Sequence, residues 1–157
     1  MVSVSIVIPC RNEAGYIGKC LDSIIKNNYP VEWVEIFVCD GLSTDDSLHV
    51  IKDYTSKYAN IHLLENKRLT TPYALNLGVK QSKSEVIIIL SAHSEIDPDY
   101  ISNCVLELEN DKSLGCVGGV INNIYENKMG LLIGQAMSSS FGVGNAYFRT
   151  GGKEGYV

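Results

Sequence analysis

The strongest constraint in this sequence is an alternation. Short apolar runs take turns with stretches whose apolar residues recur at helical spacing. Val4–Pro9 reads as a buried strand closed by Pro9. Ile17, Cys20, Leu21, Ile24 and Ile25 then follow the i, i+3, i+4, i+7, i+8 pattern of a helix with one buried face, stopped at Asn27-Asn28-Tyr29-Pro30. Val34–Cys39 is a second strand, broken by Asp40-Gly41. Ser43 or Thr44 is expected to cap the next helix, with Asp45 and Asp46 in its first turn and Leu48, Ile51 and Tyr54 inward. Ile61–Leu64 is a third strand, followed by a helix opening at Thr71-Pro72 with Ala74, Leu77 and Gly78 toward the sheet. Glu85–Leu90 is the most hydrophobic strand and is expected at the sheet centre, covered on both faces. Asp97-Pro98 opens a helix that buries Ile101, Cys104, Val105 and Leu108; Cys116–Ile121 reads as a fifth strand and Gly130–Ser139 as a helix.

Strand–helix units in a row imply an α/β fold: an open, mostly parallel sheet with helices on both faces. Ligands of such sheets bind outside the carboxyl ends of the strands. The unusual polar residues gather at those ends: Arg11 to Glu13, Asp40, Lys67 and Arg68, and Ser91 to Glu95.

Composition narrows the chemistry. The 157 residues suit one domain, and a net charge of −5 without a basic stripe argues against nucleic acid as a partner. The longest apolar run, Val86–Leu90, is far short of the ~20 residues that span a bilayer. The start at Ile6–Ile8 has no basic leader or cleavage site. Five scattered cysteines without a Cys-x-x-Cys pair read as buried hydrophobes in a reducing, cytoplasmic setting. Neither Gly-x-Gly-x-x-Gly nor Gly-x-x-x-x-Gly-Lys-Ser/Thr occurs, so dinucleotide and phosphate-loop sites are disfavoured. Without Gly-x-Ser-x-Gly, a hydrolase reading of Ser91 and His93 falls away.

The ordered strings carry a resemblance. Ser5-Ile6-Val7-Ile8-Pro9-Cys10-Arg11-Asn12-Glu13, Val38-Cys39-Asp40-Gly41-Leu42-Ser43-Thr44-Asp45, Thr71-Pro72-Tyr73-Ala74-Leu75-Asn76-Leu77-Gly78 and Ile89-Leu90-Ser91-Ala92-His93 stand in sequence over most of the chain. Together the set resembles family 2 glycosyltransferases of the GT-A fold. Ala92-His93-Ser94, Pro98-Asp99-Tyr100, Val117-Gly118-Gly119 and the run Phe141–Arg149 look like the succinoglycan-type glucosyltransferase branch.

That resemblance implies a nucleotide-diphospho-sugar donor, mostly UDP-linked, and a saccharide or lipid-linked acceptor in polysaccharide synthesis. Residues 1–95 would form the donor-binding half of a single domain and 96–157 the start of the acceptor side. Pro9, Arg11, Glu13, Asp40, Arg68 and Ser91 would then line the donor site. Asp40 would accept a uracil N–H, Arg11 would lie on the base plane, Glu13 would meet the ribose, and Arg68 would approach the diphosphate. Blander roles stay open: Asp40 before Gly41 also suits a turn, Glu13 a helix start, and Arg68 a solvated loop.

The family's acidic metal loop is altered. Ser91 stands at its first acidic position and His93 at its second, so a divalent ion (Mn²⁺ or Mg²⁺) is expected to bind weakly, through His93, with imidazole favouring Mn²⁺. An exposed loop histidine is the alternative. The general base is expected beyond residue 157, since Glu154 stands outside any matching acidic motif, and membrane contact at the inner face would come from segments not in these residues. Ser91 also keeps open a non-catalytic nucleotide-binding module. A sugar-nucleotidyltransferase ranks below both because its Gly-rich, Arg-containing signature after the first strand is missing.

Overall fold

In the parallel sheet, β1 (Val4–Cys10) is buried at every position but Pro9, and the alternation of its side chains sorts the core into two layers. Val4, Ile6, Ile8 and Cys10 face one layer, which they share with Val34, Ile36 and Val38 of β2 (Val34–Asp40). Val7 faces the other, with Cys39 and Ala74. The structure, a computed structural model, describes residues 1–125, 128–137 and 139.

The remaining strands are β3 (Ile61–Glu65) and β4 (Val86–Ile89), in the order β3-β2-β1-β4, with every pairing parallel. Helices α1 (Ile17–Ile25), α2 (Ser47–Lys57), α3 (Thr71–Gln81) and α4 (Tyr100–Asn110) follow the strands in turn. Ile17, Cys20, Leu21 and Ile24 of α1, Ile51 of α2 and Ile101 and Val105 of α4 join the first layer, while α3 packs on the second. The α/β sheet with helices on both faces is therefore as the sequence implies. Helices α1 and α2 of the first layer are tied where the Tyr54 hydroxyl donates to Asp22 Oδ1 at 2.7 Å. Burial and the Asp22 contact push the Tyr54 phenol up to about 12.

Gly78 is required by the second layer. A Cβ there would sit 2.4 Å from Val7 Cγ1, so α3 reaches β1 only because this position has no side chain.

Several expectations are corrected. The helix after β2 starts at Ser47, and neither Ser43 nor Thr44 caps it, because both are used in the loop described below. The helix expected from Asp97-Pro98 starts at Tyr100, whose N–H is bonded to the Asp97 carbonyl. β4 is an edge strand among the described residues, not a central one, and Ile87 and Ile89 are 38% and 59% exposed. Its apolar run fits a strand buried on both faces, yet run length does not say how many neighbours a strand has. Cys116–Ile121 forms no strand: it pairs with none of the four, and Val120 and Ile121 stay exposed. Hydrophobicity alone supplies no ladder partner, and Gly118-Gly119 weakens the intrinsic preference.

Contacts divide the chain into two units, Met1–Leu106 and Glu107–Val157. In the second, the described part contains α5 (Lys128–Met137), close to the helix expected at Gly130–Ser139. The run Phe141–Arg149 and Glu154 lie outside the described residues. No helix among the described residues is long and apolar enough to cross a membrane.

Two outcomes follow from this packing. Ala is about 1 kcal/mol better than Gly inside an exposed helix, but here the contact with Val7 decides the sign. Gly78→Ala should cost about 1–3 kcal/mol in urea denaturation, the usual penalty of overpacking, and Val7→Ala should recover most of it. None of the five cysteines is in a disulfide; Cys116 is exposed and the other four are buried. Burial pushes Cys10 and Cys20 up to about 12 and Cys39 to about 11. Below the ordinary thiol value of 9.0 both folded and unfolded chains hold these protons. Above it the unfolded chain loses them first, so stability should fall as pH rises from about 9 toward 12. In the native protein only Cys116 should react promptly with a thiol reagent at neutral pH, measured by mass spectrometry.

Candidate functional site

The carboxyl ends of the first three strands are stitched to one another by backbone hydrogen bonds. Gly41 N–H donates to the Cys10 carbonyl at 2.8 Å and Asn66 N–H to the Asp40 carbonyl at 2.7 Å. Asn66 is itself buried, and its amide donates to the Thr70 carbonyl while its Oδ1 accepts from Arg68 N–H. The loops after β1, β2 and β3 thus leave the sheet side by side.

Each of them contains a non-glycine residue with positive φ: Asn12 at 56°, Leu42 at 54° and Leu69 at 64°. These are the three such residues among those described. Asparagine tolerates this region; leucine does so only when the surroundings impose it, and such outliers gather at binding sites.

Side chains close the first two loops into a clasp. Asn12 N–H donates to Ser43 Oγ at 3.0 Å, and Thr44 N–H donates back to Asn12 Oδ1 at 2.8 Å. Glu13 N–H donates to Ser47 Oγ at 2.7 Å, and Ala14 N–H to Asp45 Oδ2 at 3.1 Å. Asp45 also accepts from Ser47 N–H at 3.0 Å. Hydrogen bonds from Ser47, the side-chain one foremost, and from the Ala14 backbone hold the Asp45 carboxyl below its ordinary value.

Asp40 lies at the centre of this clasp and is 3% exposed. Its Oδ1 accepts from the Ser43 hydroxyl and its Oδ2 from Ser43 N–H at 3.1 Å, so it makes the turn that Asp40-Gly41 suggested. Each oxygen keeps a lone pair beyond these bonds. Arg11 runs along Gly41, where a Cβ would come within 3.3 Å of Arg11 Cδ; the Leu69 carbonyl is 3.5 Å from the same point. Pro9 is half-buried at the end of β1, two residues past the last pair with β4, where its missing N–H breaks no ladder bond.

The structure brings Glu13 and the loop after β4 together. Glu13 Oε1 is 3.3 Å from His93 Nδ1, and Ser91 Oγ is 3.1 Å from His93 Nε2. It does not bring Arg68 to them. That guanidinium bonds the Tyr73 hydroxyl and lies 4.4 Å over the Tyr73 ring, at the start of α3. Tyr73, Ser43, Ser47 and the left-handed leucines were not singled out as functional from sequence. Only the serines carried a signal, as hydroxyls just after an Asp-Gly turn.

The metal question rests on the same donor set. No three His, Cys, Asp or Glu side chains converge among the described residues. Glu13, Ser91 and His93 supply a carboxylate, a hydroxyl and an imidazole, with the imidazole in contact with each of the other two. That set fits an ion that takes one nitrogen from the protein and draws other ligands from phosphate and water, chemistry suited to Mn²⁺ more than Mg²⁺.

Comparison with known proteins places this geometry. The model of the family described as Glycosyl transferase family 2 matches residues 5–150. The chain belongs to glycosyltransferase family 2. It is 35% identical over 160 residues to the dolichyl N-acetyl-alpha-D-glucosaminyl phosphate 3-beta-D-2,3-diacetamido-2,3-dideoxy-beta-D-glucuronosyltransferase of Methanococcus voltae, covering 98% of this chain and 49% of that protein. The chain therefore spans about half the length of that relative. Among solved structures it resembles the mannosyltransferase PcManGT of Pyrobaculum calidifontis in complex with GDP-Man and Mn²⁺, with a TM-score of 0.67 and 25% identity over 78% of this chain and 36% of that one. S. aureus TarS in complex with UDP shares the fold, with a TM-score of 0.64 and 22% identity over 81% of this chain and 38% of that one. The sheet of this glycosyltransferase-family domain is the GT-A fold.

The clasp generates a stability prediction for this domain. Ser47→Ala leaves the Glu13 N–H without its acceptor and should cost about 1–2 kcal/mol in urea denaturation. Because the folded Asp45 carboxyl titrates below its unfolded value of 3.8, its contribution is present above that pH and lost as pH falls through the folded value. Ser47→Ala should therefore flatten the acid limb of the stability curve.

Proposed function

We propose that this domain binds the nucleotide-diphospho-sugar donor, UDP-linked, of an inverting hexosyltransferase in polysaccharide synthesis, of the succinoglycan-type branch, with a saccharide or lipid-linked acceptor. The observation that carries this reading is Arg11 laid along Gly41 beside the buried Asp40, at the carboxyl edge of β1 and β2. A planar guanidinium offers a stacking face for a base, and a buried carboxylate with spare lone pairs accepts a ring N–H. The edge also accounts for the strained leucines, since both stand in the loops that flank this spot.

Within the reading, Pro9, Arg11 and Asp40 hold the base, Glu13 meets the ribose, and Ser91 and His93 face the diphosphate. Arg68 reaches the diphosphate by leaving Tyr73. A divalent ion, when bound, neutralises phosphate charge and stabilises the departing nucleoside diphosphate; His93 is the residue that would hold it. No described residue of this site is assigned the general base. Residues 1–95 are the donor half and 96–157 begin the acceptor half, and the full-length protein works in the cytoplasm at the inner face of the membrane. The M. voltae relative, named for transfer to a dolichyl-linked sugar phosphate, supports the lipid-linked acceptor. The nucleotide complexes of PcManGT and TarS support the donor class.

Calorimetric titration with UDP tests this. The 157-residue chain should bind UDP, more tightly with Mn²⁺ than without. Asp40→Ala should abolish binding, and Gly41→Ala, which displaces Arg11, should weaken it without unfolding the protein. UDP binding that is absent, or indifferent to Asp40→Ala, overturns the reading. The same chain should show no glycosyl transfer, and turnover would locate the base within it.

A further inference from the structure

The contact between Glu13 and His93 joins residues 80 positions apart, and both partners are held from behind. Glu13 belongs to the clasp: its N–H is taken by Ser47 Oγ, and its carbonyl accepts from Tyr16 N–H and Ile17 N–H, each at 2.9 Å. His93 belongs to a loop fixed on α1. The Ser91 carbonyl accepts from Cys20 Sγ at 3.6 Å and from Ser94 N–H at 3.0 Å, and Ile96 N–H donates to Ser23 Oγ at 3.1 Å. Ala92 between them is 1% exposed. The exposed imidazole therefore meets the carboxylate because two rigid elements present them, not because two flexible side chains drifted together.

A carboxylate at neutral pH only accepts, so the ring nitrogen facing Glu13 must carry the hydrogen. In a neutral imidazole the other nitrogen then carries the lone pair. A histidine that ligates a metal commonly gives its second N–H to a carboxylate in this way, and the loss of such a partner weakens metal affinity about 10–100-fold. Ser91 Oγ lies 3.3 Å from Nδ1 and 3.1 Å from Nε2, and with the Nδ1 hydrogen given to Glu13 its hydroxyl is free to donate to the Nε2 lone pair.

We propose that Glu13 is a positioning residue for His93: by accepting the Nδ1 hydrogen it fixes the Nδ1–H tautomer and leaves Nε2 as the nitrogen available to a divalent cation. Glu13 thereby offsets the anion that Ser91 does not supply, acting through the imidazole. The tautomer stands on the geometry alone; its use by an ion rests on the donor-binding reading above.

Nitrogen-15 NMR of the imidazoles at pH 8 tests the tautomer in the metal-free 157-residue chain. Only His49, His62 and His93 contribute, and His93→Gln assigns the signal of interest. His93 should show a protonated Nδ1 and a bare Nε2. Glu13→Ala should shift it toward the Nε2–H form, whereas Glu13→Gln, whose amide oxygen still accepts, should keep the original tautomer. A native His93 with protonated Nε2, or one indifferent to Glu13→Ala, overturns the proposal whatever the metal does. Water-proton relaxation with Mn²⁺ and UDP reads the second half: Glu13→Ala should raise the Mn²⁺ dissociation constant about 10–100-fold and Glu13→Gln less. Equal Mn²⁺ affinity in all three proteins overturns the role assigned to the tautomer. Absence of UDP and Mn²⁺ binding by the unaltered chain overturns the donor reading and that role together, while leaving the tautomer result intact. Circular dichroism of each variant separates these outcomes from unfolding.

Discussion

Burying β1 on both faces is the constraint from which the rest follows. A strand with neighbours on either side and helices above and below can change direction only at its end. Past Cys10 the backbone leaves the sheet, and its polar groups need partners that the ladder no longer supplies. The loop after β2 supplies them. Asn12, Glu13 and Ala14 give their N–H groups to Ser43, Ser47 and Asp45 in order, so three consecutive donors are satisfied by side chains of one neighbouring segment. Because β2 lies beside β1 in register, from Val4 opposite Val34 to Cys10 opposite Asp40, those segments are bound to meet.

The clasp has an electrostatic side. Asp40 and Asp45 are placed where their oxygens accept rather than repel, the first buried against Ser43 and the second bonded by Ser47 and Ala14. With both carboxylates anchored, Arg11 and Glu13 are polar side chains of this edge that hold neither loop. The loop after β4 is anchored from a different direction, by Cys20 and Ser23 of α1. Two independent supports thus converge on Glu13 and His93.

The sequence made the strand–helix order legible because each element has its own period: Ile17, Cys20, Leu21 and Ile24 are buried as their spacing requires. It could not reveal neighbours. Glu85–Leu90 reads as a central strand by composition, yet whether Ile87 and Ile89 are covered depends on what lies beside them. Cys116–Ile121 shows the same limit from the other side, an apolar segment without a ladder. At the site, Arg11, Glu13, Asp40, Ser91 and His93 were visible as polar residues at strand ends and through the family's motifs. The left-handed Leu42 and Leu69 were not, since nothing in a leucine announces positive φ. Nor was the diversion of Arg68 onto Tyr73, which depends on how α3 starts relative to the loop before it.

The open side of β4 has a colloidal consequence. A strand at the edge of a parallel sheet presents unpaired N–H and C=O groups, and natural edges are usually blunted by charge, proline or a bulge. Val86–Ile89 carries none of these, and two of its four side chains stand in solvent. Among the described residues β4 is therefore the edge open to strand-to-strand pairing with another chain, directly before the loop that carries Ser91 and His93.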